Sequence, residues 1–139
     1  YSFGYSSGFT DMPMNHKVFL AQFDAIKKLA SEGPCVMVGR CADYALSEYK
    51  DCFSVFVHAD TDWRINRLSQ KHNKTAKEAK DMINKTDKSR SSYYNYYTNK
   101  KWGAASSYNL CVDSSKLGID GAAKAIIQAI EIFDSIKNK

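Results

Sequence analysis

The chain has 139 residues, 44% of them apolar and 25% charged, which excludes a disordered chain and suffices for one domain with its own core. No run approaches the roughly 20 apolar residues of a membrane span, and residues 1–10 lack the basic start of a signal peptide, so the expectation is a cytoplasmic protein that does not engage a membrane. The net charge of +5 calls for an anionic partner, but does not separate a polymer from a small phosphate ester.

Residues 1–14, with two Gly and a Pro, read as a loop. Asn15 is a candidate cap for a helix in which Val18, Phe19, Phe23, Ile26 and Leu29 recur at helical spacing, and Gly33-Pro34 ends it. "CVMVG" (35–39), "FSVFVHAD" (53–60) and "YNLCVDSS" (108–115) are short apolar runs without alternation. Such runs suit strands covered on both faces, as in a parallel sheet. Thr61 or Asp62 is placed to cap the helix "WRINRLSQKH". Thr75-Ala76-Lys77-Glu78 is a capping box opening a longer helix to about Tyr96. Asp120 is placed to cap a last helix with Ala122, Ala125, Ile126, Ala129, Ile130 and Phe133 on one face. Strands alternating with helices predict an α/β architecture.

Ligands of open parallel sheets gather beyond the carboxyl ends of the strands. Those ends carry Gly39-Arg40-Cys41-Ala42-Asp43, His58-Ala59-Asp60 and Asp113-Ser114-Ser115. Arg40 offers a planar fork of donors for phosphate or carboxylate. Asp43 is able to accept from sugar hydroxyls or a base amino group, or simply to pair with Arg40. Asp60 reads best as the start of a turn. The densest run of cations is Arg64 to Lys101. Within it "DKSRSSYYNYYTNKKWG" (87–103) places four cations beside four tyrosines and a tryptophan, with Gly103 as part of a hinge. Its tyrosines cover most of a helix circumference, so their main expected role is to seat a mobile cationic helix. The four cysteines (Cys35, Cys41, Cys52, Cys111) show neither a CxxC pair nor zinc spacing and read as reduced thiols. His16, His58 and His72 have no ligand-type partner at helical spacing, so no metal-ligating residue is assigned.

"GPCVMVGRCADYAL", "FSVFVHADTDWRINRL", "DKSRSSYYNYYTNKKWG" and "YNLCVDSSKLGID", in that order, resemble the cytidylate kinase-like proteins of bacteria. The similarity runs from about Phe19 to Ile130. It implies a three-layer parallel sheet of P-loop kinase type and transfer of the γ-phosphoryl of ATP to CMP or dCMP, with Mg²⁺. Gly39-Arg40 matches a Gly-Arg-Asp segment that contacts the acceptor nucleotide, although Cys41 and Ala42 delay the acid to Asp43. Asp87-Lys88-Ser89-Arg90 matches the Asp-x-x-Arg of a lid, here about residues 61–103. The resemblance thus implies Lys88 and Arg90 in catalysis, and Arg40, Asp43, Asp87 and Arg64 in substrate binding. It puts Ser114 and Ser115 near the adenine of the cofactor. The cations of these separate segments are expected to converge above the sheet around a small phosphorylated ligand. The alternatives are an inactive nucleotide- or RNA-binding module, with nucleic acid the weaker partner, and a P-loop kinase for another small acceptor.

No window reads GxxxxGK[ST], and no apolar strand precedes residue 15. The chain is therefore expected to be the carboxyl-terminal part of a kinase, one partial domain over 1–139 and inactive by itself. "CVMVG" and "FSVFV" would then flank a first strand that this chain does not supply, leaving a gap of about 10 Å. Association through the exposed sheet edges is the expected compensation.

Overall fold

The computed structural model describes residues 12–137. The chain divides into two compact units, Tyr1–Lys50 and Asp51–Lys139. Most of the loop expected over 1–14 lies outside the described residues.

The first unit is built on α1 (Met12–Glu32) and a single turn, α2 (Ala42–Ala45). Helix α1 starts at Met12, so Asn15 lies within it, beyond the position of a cap. Phe19, Phe23 and Ile26 stand at i, i+4 and i+7 and fall on one face. Phe19 and Ile26 are buried, and the Phe23 ring lies 5.9 Å from Phe19 and 6.2 Å from Tyr44 of α2. Ala42, Ala45 and Leu46 complete this small core.

Between the two helices, "CVMVG" is not a strand. The five residues take part in no sheet among the described residues, and Val36 and Val38 are 95% and 91% exposed. The correction has a plain physical reason. An apolar run becomes a strand only when a neighbour satisfies its N–H and C=O groups, and among the described residues no strand lies beside this run.

The second unit contains the two other expected strands. β1 (Val55–His58) and β2 (Leu110–Asp113) run parallel, in register from Val55 opposite Leu110 to His58 opposite Asp113. Asn109 sets this register: its side-chain oxygen accepts from both the N–H and the hydroxyl of Ser54, each at 2.8 Å. The parallel crossover from β1 to β2 is a long hairpin of α3 (Thr61–His72) and α4 (Ala76–Thr98). Helix α5 (Ser114–Lys137) follows β2 directly and packs on the sheet. The architecture is thus mixed α/β around a small two-stranded parallel sheet.

Alternation along β1 divides its side chains between two faces. Phe56 meets Trp102 edge-on at 5.3 Å and Tyr108 at 4.9 Å, so the loop after α4 covers that face. Phe53, just ahead of the strand on the other side, lies 5.1 Å from Phe133 of α5. Val112 and Ala122 are buried between sheet and helix.

The helix ends also refine the expectations. Asp60 caps α3, its carboxylate accepting the Asp62 N–H at 2.9 Å, in place of Thr61 or Asp62. The Thr75–Glu78 capping box opens α4 as expected. Helix α5 opens with a short turn at Ser114 and breaks at Gly118, whose φ of 70° and ψ of 171° are not helical, so its long segment starts beyond the break, beside Asp120 as expected.

Candidate functional site

Three groups of sequence-predicted residues are placed by this fold. The first lies in the turn between residue 39 and α2. Gly39, Arg40 and Cys41 have φ values of 71°, 56° and 56°, three consecutive left-handed residues. The Ala42 N–H donates to the Gly39 carbonyl at 3.1 Å. The four residues therefore form a β-turn with Arg40 and Cys41 at its centre, both at positive φ, a place that favours Asn-Gly. For Arg and Cys the left-handed region costs roughly 1–2 kcal/mol each.

Arg40 is exposed and Cys41 is buried. Burial, assisted by the Asp43 carboxylate, pushes the Cys41 thiol up to about 11, so it stays a neutral thiol at physiological pH. Arg40 also lines an open, mainly apolar groove of about 180 Å³ between α1 and residues 37–42, with Ile26, Leu29 and Met37.

The second group lies on the α3–α4 hairpin. Arg64 and Asp87 were expected to touch substrate; the structure brings them to each other. Two Arg64 N–H groups donate to the two Asp87 oxygens at 2.7 and 2.8 Å. This side-chain bond, the largest influence, holds the Arg64 pKa above its ordinary value. Lys88 and Arg90 are exposed on the same helix. Neither has an ion-pair partner among the described residues, which leaves both cations available to an anion.

The tyrosines divide. Tyr94 is buried and stacks near Tyr108, at 6.1 Å, so it seats the helix. Tyr96 is 60% exposed and forms a surface cluster with Tyr97, which in turn meets Tyr93. At Gly103, φ is 76° and a Cβ there would stand 3.3 Å from the Phe56 ring. Its neighbour Trp102 donates its backbone N–H to the Asn95 side chain at 2.7 Å.

The third group is at the ends of β1 and β2. The Ser114 hydroxyl donates to the His58 carbonyl at 3.1 Å. The Ser115 hydroxyl donates to Asp113 and accepts the Asp60 N–H at 3.1 Å. The Ser115 hydroxyl and backbone N–H hold the Asp113 carboxyl below its ordinary pKa, the hydroxyl contributing most. Both serine hydroxyls thus serve to tie the start of α5 to the end of β1 and the start of α3.

Sequence reading did not find the Arg64–Asp87 pair, because the two are 23 residues apart and only spacing within a helix was legible. It also passed over Cys41. The signal there was the two-residue interruption between Arg40 and Asp43, which the left-handed turn accommodates.

A family model described as the cytidylate kinase-like family matches residues 1–116. Among solved structures, the chain is similar to the crystal structure of an uncharacterized protein from Eubacterium ventriosum ATCC 27560. The two are 33% identical over 84% of this chain and 74% of that one, with a TM-score of 0.80. No curated protein matches. With more than half of its length matched by one family model, the chain belongs to the cytidylate kinase-like family.

Proposed function

We propose that the protein is a nucleoside monophosphate kinase-like phosphotransferase, moving the γ-phosphoryl of ATP to CMP or dCMP. The match to the family model carries this reading. Arg40, presented at the tip of its turn, holds the acceptor monophosphate through its forked donors. Phosphoryl transfer needs positioning and cations around the equatorial oxygens more than covalent help. Lys88 and Arg90, exposed and without ion-pair partners among the described residues, supply that charge. Asp87 acts through Arg64 by holding its guanidinium.

Among the described residues no cluster of three His, Cys, Asp or Glu side chains is placed to hold a metal ion. Mg²⁺ therefore enters this proposal only on the phosphates of ATP, with no residue here assigned to it. ATP contacts are likewise unassigned, since the Ser114 and Ser115 hydroxyls have internal partners.

The test is a panel of ATP with CMP, dCMP, UMP and AMP against the full-length protein, following ADP release. Release with CMP or dCMP above the others supports the reading. No release with any acceptor overturns it.

The cation density of the hairpin favours a second reading. Between residues 61 and 101 stand eleven Lys/Arg and four Asp/Glu. A module that binds a polyanion such as RNA without transfer would lose affinity steeply as salt rises, whereas mononucleotide binding would change less.

A further inference from the structure

The left-handed turn at residues 39–41 does something the family match does not assign. Glycine occupies its first position, where positive φ is easily adopted. The next two positions are Arg40 and Cys41, both at φ 56°. Neither residue type favours that region, and a Gly or Asn at either position would relax it. Such conformations persist only where the surroundings over-determine them.

Here the surroundings are the start of α2. The Cys41 carbonyl accepts both the Tyr44 and the Ala45 N–H at 3.0 Å. The Cys41 side chain is 4% exposed, in sequence with the buried Ala42, Ala45 and Leu46. Thus one central residue of the turn is fixed in the interior. The other, Arg40, is exposed. The preceding side offers no comparable hold: among the described residues, none other than the two chain neighbours comes within 4 Å of where a Gly39 Cβ would be, and Val38 is exposed.

We propose that Cys41 is a positioning residue for Arg40: its burial holds the left-handed turn that fixes where the Arg40 guanidinium stands to receive a phosphate group. The phosphate belongs to the acceptor nucleotide if the phosphotransfer reading, on which this rests, is right. The device accepts lower stability at Arg40 in return for a guanidinium on a fixed backbone. A forked donor gains most from such fixing, because its two parallel bonds demand orientation as well as distance.

The experiment compares Arg40→Gly with Arg40→Ala, and Cys41→Ala with Cys41→Ser, in the full-length protein. Melting temperature is measured for all, with titration by CMP and, separately, by inorganic phosphate. Both Arg40 variants lose the guanidinium, but only glycine relieves the turn. Arg40→Gly is expected to melt about 3 °C above Arg40→Ala.

Cys41→Ala is expected to weaken CMP binding about tenfold through loss of the aligned fork. Cys41→Ser, which keeps the side chain's size, should restore most of that affinity. Equal melting of the two Arg40 variants overturns the proposal, and this comparison remains decisive if a Cys41 variant does not fold. Unchanged CMP affinity in Cys41→Ala, with binding lost in Arg40→Ala, overturns the positioning role and leaves the nucleotide reading intact. Conversely, Arg40-dependent phosphate binding that Cys41→Ala weakens, with no response to CMP, supports the turn and sinks the nucleotide reading.

Discussion

Arg64 of α3 and Asp87 of α4 form a two-pronged ion pair, with N–O distances of 2.7 and 2.8 Å. Ala79, Ile83 and Asp87 are spaced by four residues and share one stripe of α4. Ala79 and Ile83 are buried, and Asp87 continues their seam as a carboxylate. A lone carboxylate in such a seam would slide toward water. The fork of Arg64 satisfies it instead and fixes how the two helices register.

Arg64→Ala is therefore expected to cost about 1 kcal/mol, a value kept small because the pair remains partly in contact with solvent. That corresponds to a fall of roughly 3 °C in melting temperature. Asp87→Ala should cost a similar amount, and the double variant less than the sum of the two. Arg64→Lys should recover under half of the loss, because an ammonium cannot make two parallel bonds. Additive losses in thermal melts would show that the two side chains do not act as a pair.

Gly103 gives a second stability prediction. An alanine there would have to adopt φ 76°, with its Cβ 3.3 Å from the Phe56 ring. The left-handed penalty alone is about 1–2 kcal/mol, and the ring contact adds to it. Phe56 is flanked by Trp102 and Tyr108, so it has little freedom to yield. Gly103→Ala should lower the urea midpoint without changing the slope, whereas a true hinge glycine would leave the midpoint nearly unchanged.

These residues also show what was legible in the sequence. The capping box at Thr75 and the apolar spacing of α1 are local signals, and the helices appear where those signals stand. β1 and β2 were legible as apolar runs, and their parallel pairing followed from the helical crossover between them. The run "CVMVG" carries the same local signal, yet it forms no strand. Strand formation is settled by a partner, which composition within five residues cannot report. The same limit hid the Arg64–Asp87 pair. It also hid the left-handed backbone at Arg40 and Cys41, residue types that give no hint of positive φ.

Acid stability should depend on Ser115. Its hydroxyl, then its backbone N–H, holds the Asp113 carboxyl below the ordinary value of 3.8. A folded-state value depressed below the unfolded one contributes stability that is complete above the unfolded value. That stability fades as pH falls through the folded one. Ser115→Ala removes the main cause, so the two values approach each other. The variant should lose stability relative to the parent at neutral pH and converge with it as pH falls below the ordinary value of 3.8 and through the lower folded one. Melting temperature followed from pH 7 to pH 2 tests this. A stability difference that stays constant across the range would assign the effect to the Asp60 N–H bond at 3.1 Å and not to Asp113.

Arg90 separates charge neutralisation from simple binding. It is exposed on α4, three residues beyond an Asp87 already committed to Arg64. A cation that meets the transferring phosphoryl stabilises developing charge, and its removal lowers kcat and kcat/KM together. A cation that only holds the acceptor raises KM and leaves kcat unchanged. Arg90→Ala in the full-length protein is expected to lower kcat at least about 100-fold, the scale of losing one transition-state donor, with CMP affinity reduced less than threefold. Arg64→Ala, whose guanidinium already has its carboxylate, should show a milder fall in kcat that tracks its loss of stability. If Arg90→Ala weakens CMP binding as much as it slows turnover, Arg90 belongs to acceptor binding, and Lys88 is left to carry the charge of the transfer step.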